Sequence, residues 1–254
     1  MDKTATFLCL AENSIGKYVF IPGSIERAEL IANELKDSHC VAKHREFSIY
    51  NGILNGEKVS VVSTGIGENS ASIALEEMIA EGSHTFLRIG SCASTSLKCG
   101  IGDVIIASGA VRMETVSNAY VPTNYSTVPN FHFFKTLVNE AKKTSYKYDT
   151  GVTVTKASFY TEVSPKAKAV SSYILDKWES YLKAGATTTS MEEAAIFAIG
   201  AKKKVRVASV AVCATNFNEY SNVVEDYPFG WEKRAIEVGI NAMSTLIGED
   251  RDEK

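Results

Sequence analysis

Three arginines stand where chemistry is easily done: Arg27, Arg45 and Arg88 each lie near a strand end or a turn. Arg88 sits inside the apolar run Thr85-Phe86-Leu87-Arg88-Ile89-Gly90. A guanidinium in such a strand is costly unless it is paired or meets an anion. Arg27 follows Pro22-Gly23 in what reads as the first turn of a helix, where unbonded N–H groups favour anions. Arginine matches phosphate or carboxylate with two parallel hydrogen bonds, so the trio points to an oxyanion site. Separate structural ion pairs explain the same residues, and spacing alone leaves both readings open.

Ser190-Met191-Glu192-Glu193 opens an apolar stretch that reads as a helix. Ser190 and Glu193 have the form of a capping box, which leaves Glu192 without an assigned task. The Met191 thioether reads first as core packing. Gly65-Ile66-Gly67-Glu68-Asn69-Ser70 resembles a dinucleotide fingerprint without its third glycine, and a tight turn explains it as well. The histidines His39, His44, His84 and His132 are scattered, with neither H-E-x-x-H nor G-x-S-x-G in the chain. No metal site and no serine–histidine triad is expected. Cys9, Cys40, Cys92, Cys99 and Cys213 form no C-x-x-C pair, which fits a reduced, cytoplasmic setting.

The elements that must position these groups alternate. Tyr18 to Ile21, Lys58 to Ser63, Thr85 to Ile89, Val104 to Ser108, Val152 to Thr155 and Val205 to Val212 read as strands. Helices are expected from Ser24 (as cap) to about Lys36, from Ser70 to Ala80, Phe131 to Lys142, Lys166 to Leu182, Met191 to Lys202 and Trp231 to Leu246. Repeated β-then-α order implies a largely parallel sheet with helices on both faces, in one domain over residues 1–254. Asn118 to Asn130 reads as a surface loop, and the charged tail over 248–254 as frayed. Ligands on such sheets sit beyond the carboxyl ends of strands. The segments at Pro22-Gly23, Thr64 to Gly67, Gly90 to Ser94 and Cys213 to Asn218 therefore matter most.

Composition narrows the partners. Lys+Arg 27 against Asp+Glu 30 gives a net charge of −3, which argues against a nucleic-acid or anionic-membrane surface. Hydrophobic residues at 45% and charged residues at 22% are ordinary for a globular chain and rule out a disordered one. No apolar run approaches the roughly 18 residues of a membrane helix. The N-terminal segment lacks a basic region and a small-residue cleavage site, so no signal peptide is expected.

Taken in order, these pieces resemble the nucleoside phosphorylase family, its uridine phosphorylase branch most closely. The resembling text is Ile21-Pro22-Gly23-Ser24-Ile25-Glu26-Arg27, His44-Arg45-Glu46-Phe47, Ser63-Thr64-Gly65-Ile66-Gly67 and Thr85 to Ser91. Gly102-Asp103-Val104, Val111-Arg112, Ser158-Phe159-Tyr160 and Met191-Glu192 follow, so the order holds from about Phe7 to Leu246. The resemblance implies a three-layer α/β/α sandwich around a mixed, largely parallel sheet, assembled as dimers or as hexamers built from dimers. It implies phosphorolysis, in which a nucleoside and phosphate give free base and α-ribose 1-phosphate, with phosphate as co-substrate and no cofactor. The matching phosphate positions are Gly23, Arg27, Arg88 and Ser91, with Arg45 reaching in from the neighbouring subunit. Met191 and Glu192 match ribose contacts, and Phe159 an aromatic that packs on the base.

The departures from that pattern are concentrated at the sugar and base. Leu8 stands where the family usually has a histidine, and Ser190 where it has an acid two residues before Glu192. The uridine branch reads its base with a glutamine and an arginine, whose places hold Val163 and Pro165, and with a further arginine at the place of Ala214. The purine branch sets an acid where Thr215-Asn216 stands, and Asn216 can hydrogen-bond a base without donating a proton as an acid does. The expectation is therefore an intact phosphate half, a partly intact ribose half and a rewritten base half. A uridine-type phosphorylase leads, ahead of a purine nucleoside phosphorylase, a nucleosidase and a non-catalytic nucleoside-binding protein.

Overall fold

The computed structural model describes residues 7–11, 14–95, 99–160, 165–216 and 230–253. Its centre is a nine-stranded sheet in the order β2-β3-β4-β1-β5-β8-β7-β6-β9. The strands are β1 (Tyr18–Phe20), β2 (Lys36–His44), β3 (Phe47–Leu54), β4 (Glu57–Val62), β5 (Thr85–Ser94), β6 (Val104–Met113), β7 (Tyr148–Lys156), β8 (Thr188–Ser190) and β9 (Arg206–Asn216). β4, β1, β5 and β9 run parallel as the centre of the sheet. β9 also pairs with β6, β6 with β7, β7 with β8 and β8 with β5, so five strands close into a ring. The sheet is mixed and curls on itself at one end.

Alternation along the strands decides what each face buries. Tyr18 and Phe20 of β1, Leu87 and Ile89 of β5, and Ala208, Val210 and Val212 of β9 face one core. That core is covered by α1 (Ile25–Asn33), α3 (Phe131–Lys143) and α6 (Glu232–Asp252). Val19, Phe86 and Val207 face the other, covered by α2 (Glu68–Ala80) and α5 (Glu193–Lys203). α4 (Ser171–Lys183) sets Trp178 against Val154 of β7. The result is the expected three-layer α/β/α arrangement.

Several boundaries move for identifiable reasons. Ser24 caps α1 as expected, its hydroxyl accepting from the Arg27 N–H at 3.2 Å. The helix stops at Asn33, before Lys36, and the chain turns into the hairpin β2–β3, which the sequence reading missed. β2 is an edge strand, polar and exposed over Lys36–Cys40, so no apolar alternation betrays it. The 118–130 segment is tied down: Arg112 donates to Ser117 at 2.8 Å, to the Pro122 carbonyl at 2.5 Å and to Asn118 at 2.6 Å.

The expected frayed tail is helical through Asp252, because α6 has partners to its end. Leu246 and Ile247 are buried, and Asp250 pairs with Arg206 (Nη1–Oδ1 2.8 Å) and accepts from the Tyr18 hydroxyl at 2.6 Å. The Arg206 guanidinium holds the Asp250 carboxyl down to about 2. A carboxylate depressed on folding adds stability above its unfolded pKa near 4 and loses that contribution as pH falls towards 2. Asp250→Asn is therefore expected to cost about 1 kcal/mol at pH 7, the pair being only partly shielded from water. Thermal melts should show the gap between variant and parent closing between pH 4 and pH 2; a gap constant over that range would remove Asp250 from the account.

Candidate active site

The strand carboxyl ends open on a cleft of about 310 Å³. Gly23 comes to it from the loop after β1, and Arg27 from the first turn of α1. β5 brings Arg88 and Ser91, the segment between β8 and α5 brings Met191 and Glu192, and Phe159 follows β7. These seven residues, named from sequence, line one cleft. Met191 is half-buried in the wall of the cleft, outside the core. Ala214 and Thr215 line it too. The side chains of Pro165 and Asn216, and residues 161–164 with Val163, lie outside the described residues.

Arg88 is 5% exposed and meets its anions inside the protein. Its Nη1 donates to Glu193 Oε1 at 2.8 Å and its Nη2 to Glu192. Burial opposes its charge, and the two carboxylates more than offset that and hold its pKa above the ordinary value. The guanidinium folds back along its own face of β5 over Gly90, where an added Cβ would stand 1.8 Å from Nη1. Only glycine leaves that room. Arg27 pairs likewise with Glu232, its Nε 2.8 Å from Oε1. Both arginines are therefore in structural ion pairs, and both also line the cleft. A guanidinium has five N–H donors, so each keeps some beyond those used by carboxylates.

Glu192 is buried and accepts from the Gly67 N–H at 2.8 Å. Gly67 has φ +91, so the incomplete glycine fingerprint is a turn that aims a backbone donor at this carboxylate. The capping box does not form. α5 starts at Glu193, and its Ala194 N–H is accepted by Thr155 of β7 at 3.0 Å. Ser190 bonds the Glu193 carboxylate, which Ser209 also reaches at 2.9 Å. Ser190 thereby helps hold the carboxylate that holds Arg88. Glu68, the first residue of α2, is pushed above the usual carboxyl range by burial, with Glu114 and Glu192 adding to the shift. Burial also raises the Cys92 thiol in the cleft wall, so it is no nucleophile near neutral pH.

Arg45 is not brought into this cleft. It sits exposed at the turn between β2 and β3, at φ 56, with its guanidinium 5.5 Å from the Phe7 ring. Leu8 is fully buried in its own chain's core, its N–H accepted by Glu77 at 2.8 Å. Sequence reasoning missed Lys156, the last residue of β7, which lines the cleft at 3% exposure. A charge directly after a predicted strand at the carboxyl edge of the sheet was its signal.

The structure thus sets two buried, carboxylate-held arginines in one cleft at the strand ends of a mixed sheet. A sequence profile of the phosphorylase superfamily matches residues 17–229. The chain is 34% identical to the uridine phosphorylase of Treponema pallidum (strain Nichols), over 95% of this chain and 93% of that one. It is 31% identical to the uridine phosphorylase of Thermococcus kodakarensis, over 94% and 86%. It is also 30% identical to the guanosine phosphorylase of Halorubrum lacusprofundi, over 94% and 98%. The chain belongs to the phosphorylase superfamily and is an enzyme of the uridine phosphorylase-like kind. Among the described residues no helix is long and apolar enough to cross a membrane.

Proposed function

We propose that the protein is a nucleoside phosphorylase of the uridine type with an altered base site. The observation that carries this reading is the meeting of Arg27, Arg88 and Glu192 in one cleft of a phosphorylase-superfamily chain. Gly23, Arg27, Arg88 and Ser91 bind phosphate, and Arg45 completes the site across a dimer interface. Met191 and Glu192 take the ribose; Phe159 and Asn216 take the base. The co-substrate is phosphate, and the reaction calls for no cofactor.

The chemistry suits these groups. A phosphate oxygen bonds to C1′ as the bond from C1′ to the base nitrogen breaks, and its electron pair leaves with the base. Positive charge builds on the ribose ring on the way, as in glycoside hydrolysis. A carboxylate on the sugar hydroxyls and a phosphate beneath the ring stabilise that charge, so catalysis is largely positioning and electrostatics. Glu192 has a double use here. It pairs with Arg88, and from the same cleft wall it meets the sugar hydroxyls.

The test is release of free base from uridine, thymidine, deoxyuridine, inosine, guanosine and adenosine, with and without phosphate. Phosphate-dependent release from the pyrimidine nucleosides is expected. The guanosine phosphorylase relative gives substance to a purine reading, and preference for inosine or guanosine would select it. Release without phosphate would replace a phosphorylase by a nucleosidase. No release from any of the six by folded protein would leave a nucleoside-binding protein.

A further inference from the structure

Phosphate and ribose account for every charged group of the cleft except Lys156. This residue ends β7, one place beyond Thr155, which pairs with Ser190 of β8. It is 3% exposed, and its ammonium lies 5.3 Å from the centre of the Phe159 ring. Its ammonium is thus held in the cleft wall beside the ring proposed to pack on the base. The strand order supplies a scale. Arg88 is on β5, and β8 and then β7 follow, so Lys156 stands two strand spacings away, about 10 Å laterally. Glu192, just after β8, lies between them. The cleft thus runs from arginines, past a carboxylate, to a cation beside an aromatic ring.

We propose that Lys156 donates a hydrogen bond to an exocyclic oxygen of the departing base, stabilises the charge that base acquires, and so selects bases with a carbonyl at that edge. The inference rests on the reading of the cleft as a nucleoside site with the base at Phe159. When the C1′–N bond breaks, its electron pair passes to the base. In a uracil or a 6-oxopurine that charge spreads onto the exocyclic carbonyl oxygens, where a fixed, buried ammonium holds it strongly. Lys156 keeps its proton throughout. The base takes a proton from water, balanced by the one hydrogen phosphate gives up as its oxygen bonds to carbon. An ammonium has three donors and no acceptor, so it has nothing to offer an amino group. Adenosine and cytidine, with amino groups at that edge, present it no acceptor there and are rejected.

The experiment compares uridine with 5-fluorouridine, whose ring fluorine makes the base a better leaving group. Lys156→Met should lower kcat/KM for uridine by about 100-fold or more. The loss for 5-fluorouridine should be clearly smaller, because that base needs less help to leave. Lys156→Arg, which keeps a cation, should recover part of the rate, and the KM for phosphate should stay near the parent's in both. A merely structural lysine would lower both substrates alike. An unchanged ratio of the two nucleosides in Lys156→Met therefore overturns the proposal. If that variant does not fold, the ratio in Lys156→Gln decides in the same way. Phosphate-independent release by the parent enzyme would sink the phosphorylase reading alone, since hydrolysis expels the same base and the ratio still reports on Lys156. A parent that releases no base overturns both.

Discussion

Arg88→Met is expected to abolish phosphate-dependent base release, by at least about 1000-fold, because the variant removes the buried guanidinium proposed to fix the nucleophile. The structure predicts a cost as well. Arg88 is the described cation between Glu192 and Glu193, and all three side chains are nearly enclosed. Breaking a buried ion pair from one side strands the other charge, at about 3–5 kcal/mol. In a chain of this length each kcal/mol moves the melting temperature by about 2–4 °C, so a fall of about 10 °C is expected.

The two effects separate in a double variant. Glu193 bonds Ser190 and Ser209 as well as Arg88, so a glutamine there keeps hydroxyl partners and loses the stranded charge. Arg88→Met with Glu193→Gln should therefore regain several degrees of the lost melting temperature and none of the activity. Phosphorolysis by Arg88→Met within tenfold of the parent would take Arg88 out of the site. Equal melting temperatures for parent and single variant would mean that Glu192 and Glu193 find other partners.

Much of this was legible in the sequence, for reasons that also set the limits. Arg88 stood out because one cation in an apolar strand violates the usual rule for burial, and such violations collect at functional sites. Gly23 and Ser91 lay in segments marked by their place after strands, but their roles, like that of Phe159, came only through resemblance, since a glycine after a strand or an exposed aromatic has many uses. The sequence did not reveal that Glu193 shares Arg88 with Glu192. Its local pattern with Ser190 matched a capping box, and only the approach of β5 and β9 turns that carboxylate inward. Thr155 takes over a capping role from another strand, which no window along the chain can show. β2 escaped for a related reason: an exposed edge strand has no buried face to imprint a period of two. β5 and β9 were found but cut short. The reading ended β5 at Ile89 and β9 at Val212, where apolar residues give way to small ones, while the pairing continues to Ser94 and Asn216.

Arg45 leads to the second large effect, through its position outside its own chain's cleft. Arg45 lies exposed at a hairpin tip, and the proposal that it completes a partner's phosphate site has a numerical consequence. Arg45→Ala and Arg88→Met should each be nearly inactive as homodimers. In a two-fold dimer each site draws on both chains in the same way. A heterodimer of the two variants then has one site with both changes and one with neither. Random reassortment of equal amounts makes half the dimers mixed, each half active, so about 25% of parental activity should return on mixing. The recovery should follow subunit exchange in time, and a covalently linked heterodimer should reach about 50%. Heterodimers that form and stay inactive would confine each site to one chain, whereas an Arg45→Ala homodimer with parental activity would leave Arg45 a surface residue stacked on Phe7.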